Sequence, residues 1–256
     1  MTQTTTLPAN KLKVRIYETR EQMGAEAAKN AAEKIRELLL VKQGFINIIF
    51  AAAPSQNEFL SSLCKEENIN WSRIKAFHMD EYIGLDNNAP QRFAHFLKES
   101  IFDKVSFNEV YYINGSAADP AIECLRYSKL LQQYPVDIVC MGIGENTHIA
   151  FNDPHTADFN DPVLVKVVTL ERASRQQQVH DGCFQRLDDV PTSAITLTVP
   201  ALIQANSIFC IVPGKHKAMA VFHTLNSEIS EEYPSTALTR HNDATLYLDT
   251  DSAAKL

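Results

Sequence analysis

Residues 136–154 read VDIVCMGIGENTHIAFNDP, and the change of character inside that stretch decides how the whole chain is read. VDIVCMGI is a continuous apolar run of strand length, the pattern of a strand covered on both faces. A loop carrying Gly142, Gly144, Glu145, Asn146, His148, Asn152 and Asp153 follows it at once. A buried strand that empties into a polar, glycine-bearing loop is the unit of an open α/β sheet, in which ligands bind beyond the carboxyl ends of the strands.

Working outward, the same unit recurs. KVRIY precedes a helical period over residues 19–41, FINIIFAA one over 55–67, and IKAFHM one over 91–105. The alternation continues through EVYYI, residues 118–133, VDIVCMGI, VLVKVVTL, residues 171–179, AITLTV, SIFCIV, residues 215–226 and ATLYLD. The expectation is one α/β domain over residues 1–256, doubly wound, its mostly parallel sheet covered by helices on both faces, with about the first ten residues loose. Capping boxes are expected at Thr19-Arg20-Glu21-Gln22 and Ser55-Gln56-Asn57-Glu58. Of only eight glycines, Gly84, Gly142, Gly144 and Gly214 stand just after expected strands, so their loops converge on one crevice.

Composition narrows the function classes. With 45% hydrophobic and 21% charged residues the chain can bury a sizeable core. A net charge of −7 and no dense basic cluster argue against nucleic acid as a partner. No apolar run reaches the roughly 18 residues that cross a bilayer, and MTQTTTLPANKLK has no signal-peptide stretch, so a soluble, cytoplasmic protein without a membrane partner is expected. The five cysteines are scattered without metal-ligand spacing and read as reduced thiols. GxGxxG, HExxH and GxSxG are absent, which argues against dinucleotide, zinc-peptidase and serine-hydrolase chemistry; neither metal nor organic cofactor is expected.

Three groups of residues carry chemistry. AFHMDEYIGL delivers Asp80, Glu81 and Tyr82 at a strand end; Asp80 serves either as a turn cap or as a general base of raised pKa. MGIGENTHIAFNDP places His148 in the post-strand loop with Asp153 five residues on, a spacing that suits a histidine oriented and kept basic by a carboxylate. Ser55, Arg175 and Lys217 stand near helix starts and together offer amides, a hydroxyl and cations to a phosphate monoester.

AFHMDEYIGL and MGIGENTHIAFNDP resemble the two signature segments of the glucosamine-6-phosphate deaminase (isomerase) family, and AAAPSQNEF, SRQQQVHDGCF and PGKHKAMA fall in the family's order. The resemblance covers nearly the whole chain. The same fold hosts 6-phosphogluconolactonases, which typically carry GxGxDGHTASLFP where this chain has HIAFNDP. The resemblance implies a hexosamine 6-phosphate substrate, a ketose 6-phosphate and ammonia as products, and no cofactor. It makes Asp80 the proton shuttle between C2 and C1, and His148, assisted by Asp153 and Asn146, the ring-opening group; Ser55 and Lys217 fall on phosphate-binding positions. A homo-oligomer is also implied, since members commonly assemble.

Several departures stand beside the matches. Thr147 replaces the glycine usual before the histidine, which is expected to add bulk near the sugar and, with Glu81, to bear on specificity. Ala53-Pro54 replaces a glycine pair in the phosphate loop, and the family's phosphate-contacting arginine aligns with His180, with Arg175 close enough to substitute. The chain runs only a short way past TLYLD, without the tail that takes part in allosteric control in some members, so that regulation is not expected. A galactosamine-6-phosphate deaminase, a lactonase-like hydrolase and a non-catalytic sugar-phosphate sensor remain as alternatives.

Overall fold

The computed structural model describes residues 3–6 and 11–256. A short strand, β1 (Gln3–Thr6), lies antiparallel to β2 (Lys13–Tyr17), so part of the stretch expected to be loose is paired; the rest of the first ten residues lies outside the described residues. Helix α1 (Arg20–Val41) starts where the first capping box places it, with the Thr19 hydroxyl accepting from the Gln22 amide at 3.2 Å. It buries Met23, Ala27, Ala28, Ala31, Ala32 and Ile35, one small-residue stripe at helical spacing. Gly24 lies so near α2 (Asn57–Leu63) that a Cβ there would stand 2.5 Å from that of Glu58.

The remaining elements follow in order: β3 (Ile46–Phe50) before α2, then β4 (Ile74–His78), β5 (Asp80–Tyr82), α3 (Phe93–Leu97), β6 (Glu109–Tyr111), α4 (Pro120–Gln133) and β7 (Ile138–Met141). After them come β8 (Val165–Thr169), α5 (Arg172–His180), β9 (Ser193–Leu197), α6 (Val199–Ile203), β10 (Ser207–Val212), α7 (Ala218–Asn226) and β11 (Ala244–Asp249).

The main sheet has the order β1-β2-β11-β10-β7-β3-β4-β6, and every pairing except β1 with β2 is parallel. β3, β7, β10 and β11 are buried at every position, as strands covered on both faces must be. Alternate side chains feed two cores. Ile48 and Phe50 join α1, α2 and α3 on one face, while Ile49 joins α4, α6 and α7 on the other. The doubly wound expectation therefore holds.

VLVKVVTL and AITLTV do not extend that sheet. β8 and β9 pair antiparallel with each other, and β9 pairs antiparallel with β5 to form a second, three-stranded sheet. The reason is visible along β8, where Val168 is buried but Val167 is 45% exposed and Thr169 is exposed: one face meets solvent, which antiparallel strands tolerate. β9 thereby becomes a bracket. It pairs Asp80 with Thr196, the Thr196 hydroxyl accepts from the Phe151 amide at 3.0 Å, and the Leu197 carbonyl accepts from the Asn152 side chain at 2.8 Å.

Candidate active site

β7 and β3 are neighbours at the centre of the sheet, and the loops leaving their carboxyl ends wall a cleft with those after β4 and β10. Asp80, Ser55, His148 and Lys217 line it, together with Gln56, Gln177 and Gln178, which the sequence reading did not single out.

Asp80 is delivered at the start of β5. Its backbone is held by His78, a wholly buried imidazole: Nε2 accepts from the Ile113 amide at 2.9 Å, so Nδ1 carries the proton and donates to the Asp80 carbonyl at 2.9 Å. Burial depresses the His78 pKa to about 4, which keeps it neutral in this role. The Asp80 carboxylate itself takes no hydrogen bond or ion pair from any described residue. Burial, and then the neighbouring charge of Glu81, push its carboxyl well above the usual carboxylate range.

Glu81, expected to face the substrate, is turned away. Its carboxylate accepts from the amides of Tyr82, Phe93 and Ala94 at 3.0, 3.2 and 3.0 Å, with Arg92 Nε 3.5 Å away. It anchors the start of α3 because exposed helix amides there need an acceptor. Burial still raises its pKa, against the opposing pull of those donors.

His148 faces the cleft with one edge of its ring and a polar cluster with the other. Nδ1 lies 2.6 Å from Asn146 Oδ1, 3.0 Å from Ser174 Oγ and 3.3 Å from Asp153 Oδ1. Asp153 accepts from Asn146 Nδ2 at 3.0 Å, from the Ser174 hydroxyl, and from the Glu171 amide at 3.2 Å. Burial alone would raise the Asp153 pKa, but His148, Asn146 and Ser174 outweigh it and hold the carboxylate well below its ordinary range. Gly144 is obligatory, since a Cβ there would come within 2.1 Å of the His148 ring.

Thr147 departs from expectation in two ways. It adopts φ +71°, a conformation that β-branched residues avoid, and it is 2% exposed without lining the cleft. Its amide donates to the Gly144 carbonyl and its carbonyl accepts from Ser235, both at 3.0 Å, so backbone bonds on both sides hold it there. Its side chain is buried and is not among those that line the cleft.

Where a phosphate ligand is expected, Ser55 does not cap α2. A 3₁₀ turn, Pro54–Gln56, precedes that helix, and the Ser55 hydroxyl accepts from Gln56 Nε2 at 3.1 Å. Glu58, expected to close the second capping box, instead pairs with Arg20 at 2.8 Å, and Arg20 also donates to the Pro54 carbonyl, pinning the Ala53-Pro54 loop. Lys217 is 3% exposed, and its ammonium has no hydrogen-bond or ion-pair partner among the described residues. Burial lowers its pKa, with Asp181 and Glu145 pulling the other way. Its loop is set by Gly214 at φ +94°, whose amide donates to the Asp249 carboxylate at 3.0 Å.

Two expected phosphate ligands lie elsewhere. Arg175 donates to the carbonyls of Leu187 and Val190 at 2.7 and 2.9 Å, tying α5 to the turn before β9. His180, with its side chain 56% exposed, lies outside the cleft lining, 3.6 Å from Glu145. Gln177, one residue-pair on, takes the wall position instead: its Oε1 accepts from the Glu145 amide at 2.9 Å. In a helix the side chain that faces a cleft is chosen by the rotation of the helix, which the motif SRQQQ does not reveal.

One cluster of potential metal ligands exists among the described residues: Asp153, His155 and Glu171 each bring a ligand atom within 4.8 Å of the others. Those atoms are already paired, His155 with Glu171 at 2.8 Å and Asp153 as above. No helix among the described residues is long and apolar enough to cross a membrane.

The family model of glucosamine-6-phosphate isomerases and 6-phosphogluconolactonases matches residues 18–247. A glucosamine-6-phosphate deaminase of Bacillus cereus is 36% identical over 73% of this chain and 70% of its own length, and one of Exiguobacterium is 33% identical over 90% and 88%. Among solved structures, a monomeric glucosamine-6-phosphate deaminase superposes with a TM-score of 0.86 at 29% identity, covering 95% of this chain and 99% of that one. A 6-phosphogluconolactonase from Thermotoga maritima reaches 0.75 at 19% identity over 92% and 98%, a likeness of fold. The chain belongs to the glucosamine-6-phosphate isomerase/6-phosphogluconolactonase family.

Proposed function

We propose that this chain is a glucosamine-6-phosphate deaminase, converting glucosamine 6-phosphate and water to fructose 6-phosphate and ammonia. The observation that carries the reading is that Asp80, a buried carboxylate without a partner among the described residues, shares one cleft with His148, whose Nδ1 edge is held by Asn146, Ser174 and Asp153. Lys217, a buried cation without a partner among the described residues, stands in the same cleft and suits the phosphate, as does the Ser55 hydroxyl in the cleft wall.

In this reading His148 exchanges a proton at the ring oxygen and opens the sugar to the aldehyde. Asp80 then removes the C2 proton, acidified by the C1 carbonyl, and returns it to C1. The C2 amine becomes an imine; water adds to give a carbinolamine, which expels ammonia and leaves the ketose. A desolvated carboxylate of raised pKa is suited to take a proton from carbon and give it back. A lactonase removes no proton from carbon and would leave that property of Asp80 unused. As an enzyme of sugar phosphates it would act in the cytoplasm.

Incubation of the purified chain with glucosamine 6-phosphate should release ammonia and fructose 6-phosphate in equal amounts. A rate no higher than that of D80N would overturn the reading.

A further inference from the structure

The hydrogen-bond cluster behind His148 extends one residue further than the mechanism uses. Asn146 Nδ2 lies 3.0 Å from Asp153 Oδ1 and also 3.1 Å from Glu171 Oε2. Both amide hydrogens are therefore claimed by carboxylates, and only the amide oxygen remains for His148 Nδ1 at 2.6 Å. Turning the amide over would set its oxygen between two carboxylates and its hydrogens against the imidazole. Glu171 is itself fixed: Oε1 pairs with His155 Nδ1 at 2.8 Å, and its backbone amide donates to Asp153 Oδ2 at 3.2 Å at the start of α5.

We infer that Glu171 is a positioning residue for His148, acting through the Asn146 amide. Because Asn146 presents oxygen, the imidazole proton resides on Nδ1 and the Nε2 lone pair is left for the cleft. Asp153 Oδ1 takes one Asn146 hydrogen together with the Ser174 hydroxyl, and the His148 amide also donates to Asn146 Oδ1 at 3.3 Å; Glu171 is the acceptor for the second Asn146 hydrogen, which would otherwise be left unclaimed in this buried cluster. Nothing in the chain's pattern marks Glu171, which precedes α5 in the segment ERASRQQQ. The inference deepens the deaminase reading and rests on it for its consequence in turnover, but its structural content is independent of substrate.

The test uses the full chain labelled with ¹⁵N-histidine, without ligand, at a pH where the imidazoles are neutral. Nitrogen chemical shifts should report the Nδ1–H tautomer for His148 in the wild type and in E171Q, whose amide oxygen still accepts from Asn146. E171L should show a mixture of both tautomers; E171A removes the same carboxylate with less bulk and reads the same property if E171L does not fold. In turnover, E171L should lose about ten- to a hundredfold in kcat, the usual range for an outer partner of a functional histidine, with E171Q largely restored. KM should stay within about twofold, because substrate contacts are untouched. H155Q loosens Glu171 but leaves its carboxylate in place for Asn146, so it should cost kcat less than either Glu171 truncation. The inference is overturned if His148 keeps a single Nδ1–H tautomer in E171L and E171A, or if H155Q reproduces their loss. Absence of deaminase activity in the wild type would sink the functional reading and leave the tautomer measurement decisive for this one.

Discussion

Asp80 in the cleft wall and Asp153 behind His148 are both buried acids, yet their surroundings drive them in opposite directions. Asp80 has no donor among the described residues and a charged neighbour in Glu81, so burial wins and its pKa rises. Asp153 is as deeply buried, but His148, Asn146 and Ser174 surround it, and its pKa falls. Burial sets the cost of a charge; partners decide whether it is met. One carboxylate is thereby left without a donor among the described residues, and the other is a fixed anion behind an imidazole.

The largest effect should come from removing the unpartnered member, the proposed proton shuttle. D80N should lower kcat about 10²–10⁴-fold, the usual contribution of a positioned general base. It should also raise Tm at neutral pH by about 2–6 °C, corresponding to roughly 1–2 kcal/mol in a chain of this size. The sign follows from linkage. Asp80 holds its proton more tightly folded than unfolded, so the wild type loses stability as pH rises from the ordinary carboxylate range through the raised folded value, and D80N removes that loss. Asp153 acts the other way: its contribution is present at neutral pH and is lost only as pH falls below the ordinary range toward its depressed value. Thermal melts of wild type and D80N across pH check both limbs, and an unchanged Tm difference at all pH values would break the comparison.

The anion end sharpens it. K217M removes the one cleft-lining cation that has no partner among the described residues and should raise KM for a phosphorylated substrate roughly ten- to a hundredfold, as expected for about 1.5–3 kcal/mol of charged hydrogen bonding. H180A should change KM by less than about twofold, because the exposed imidazole faces Glu145. Steady-state kinetics on both variants would reveal an error if their KM effects were equal.

The smallest effect is expected at Thr147. Replacing it with glycine relieves a positive φ that costs a β-branched residue about 1–2 kcal/mol, offset by the roughly 0.5–1 kcal/mol entropy of glycine. T147G should therefore gain up to about 1 kcal/mol in denaturant unfolding, with kcat/KM within about twofold. A large change in substrate preference would instead place Thr147 against the sugar.

Much of this was legible before any coordinates. The apolar runs at VDIVCMGI and SIFCIV, the alanine stripe of α1 and the Thr19 cap all translate into the elements they suggest, because burial on both faces and helical periodicity are local properties of a sequence. Asp80, His148, Ser55 and Lys217 meet at one cleft because loops after parallel strands open at the same edge of the sheet. The errors have one origin. β8 and β9 look like further sheet strands, and Arg175 looks like a phosphate ligand, until the fold turns α5 so that Arg175 reaches the turn before β9 and Gln177 reaches the cleft.

The sequence by itself determined which residue types stand at the ends of which strands, and with them the family and the chemistry available. Only the tertiary structure decided that Asp80 has no partner among the described residues while Glu81 beside it is saturated, and that Thr147 stands outside the cleft lining. It also decided that Asn146 presents its oxygen to His148. Each of these depends on donors and acceptors brought from distant segments, the α3 amides, Ser235 and Glu171, and such pairings leave no periodic trace in the chain.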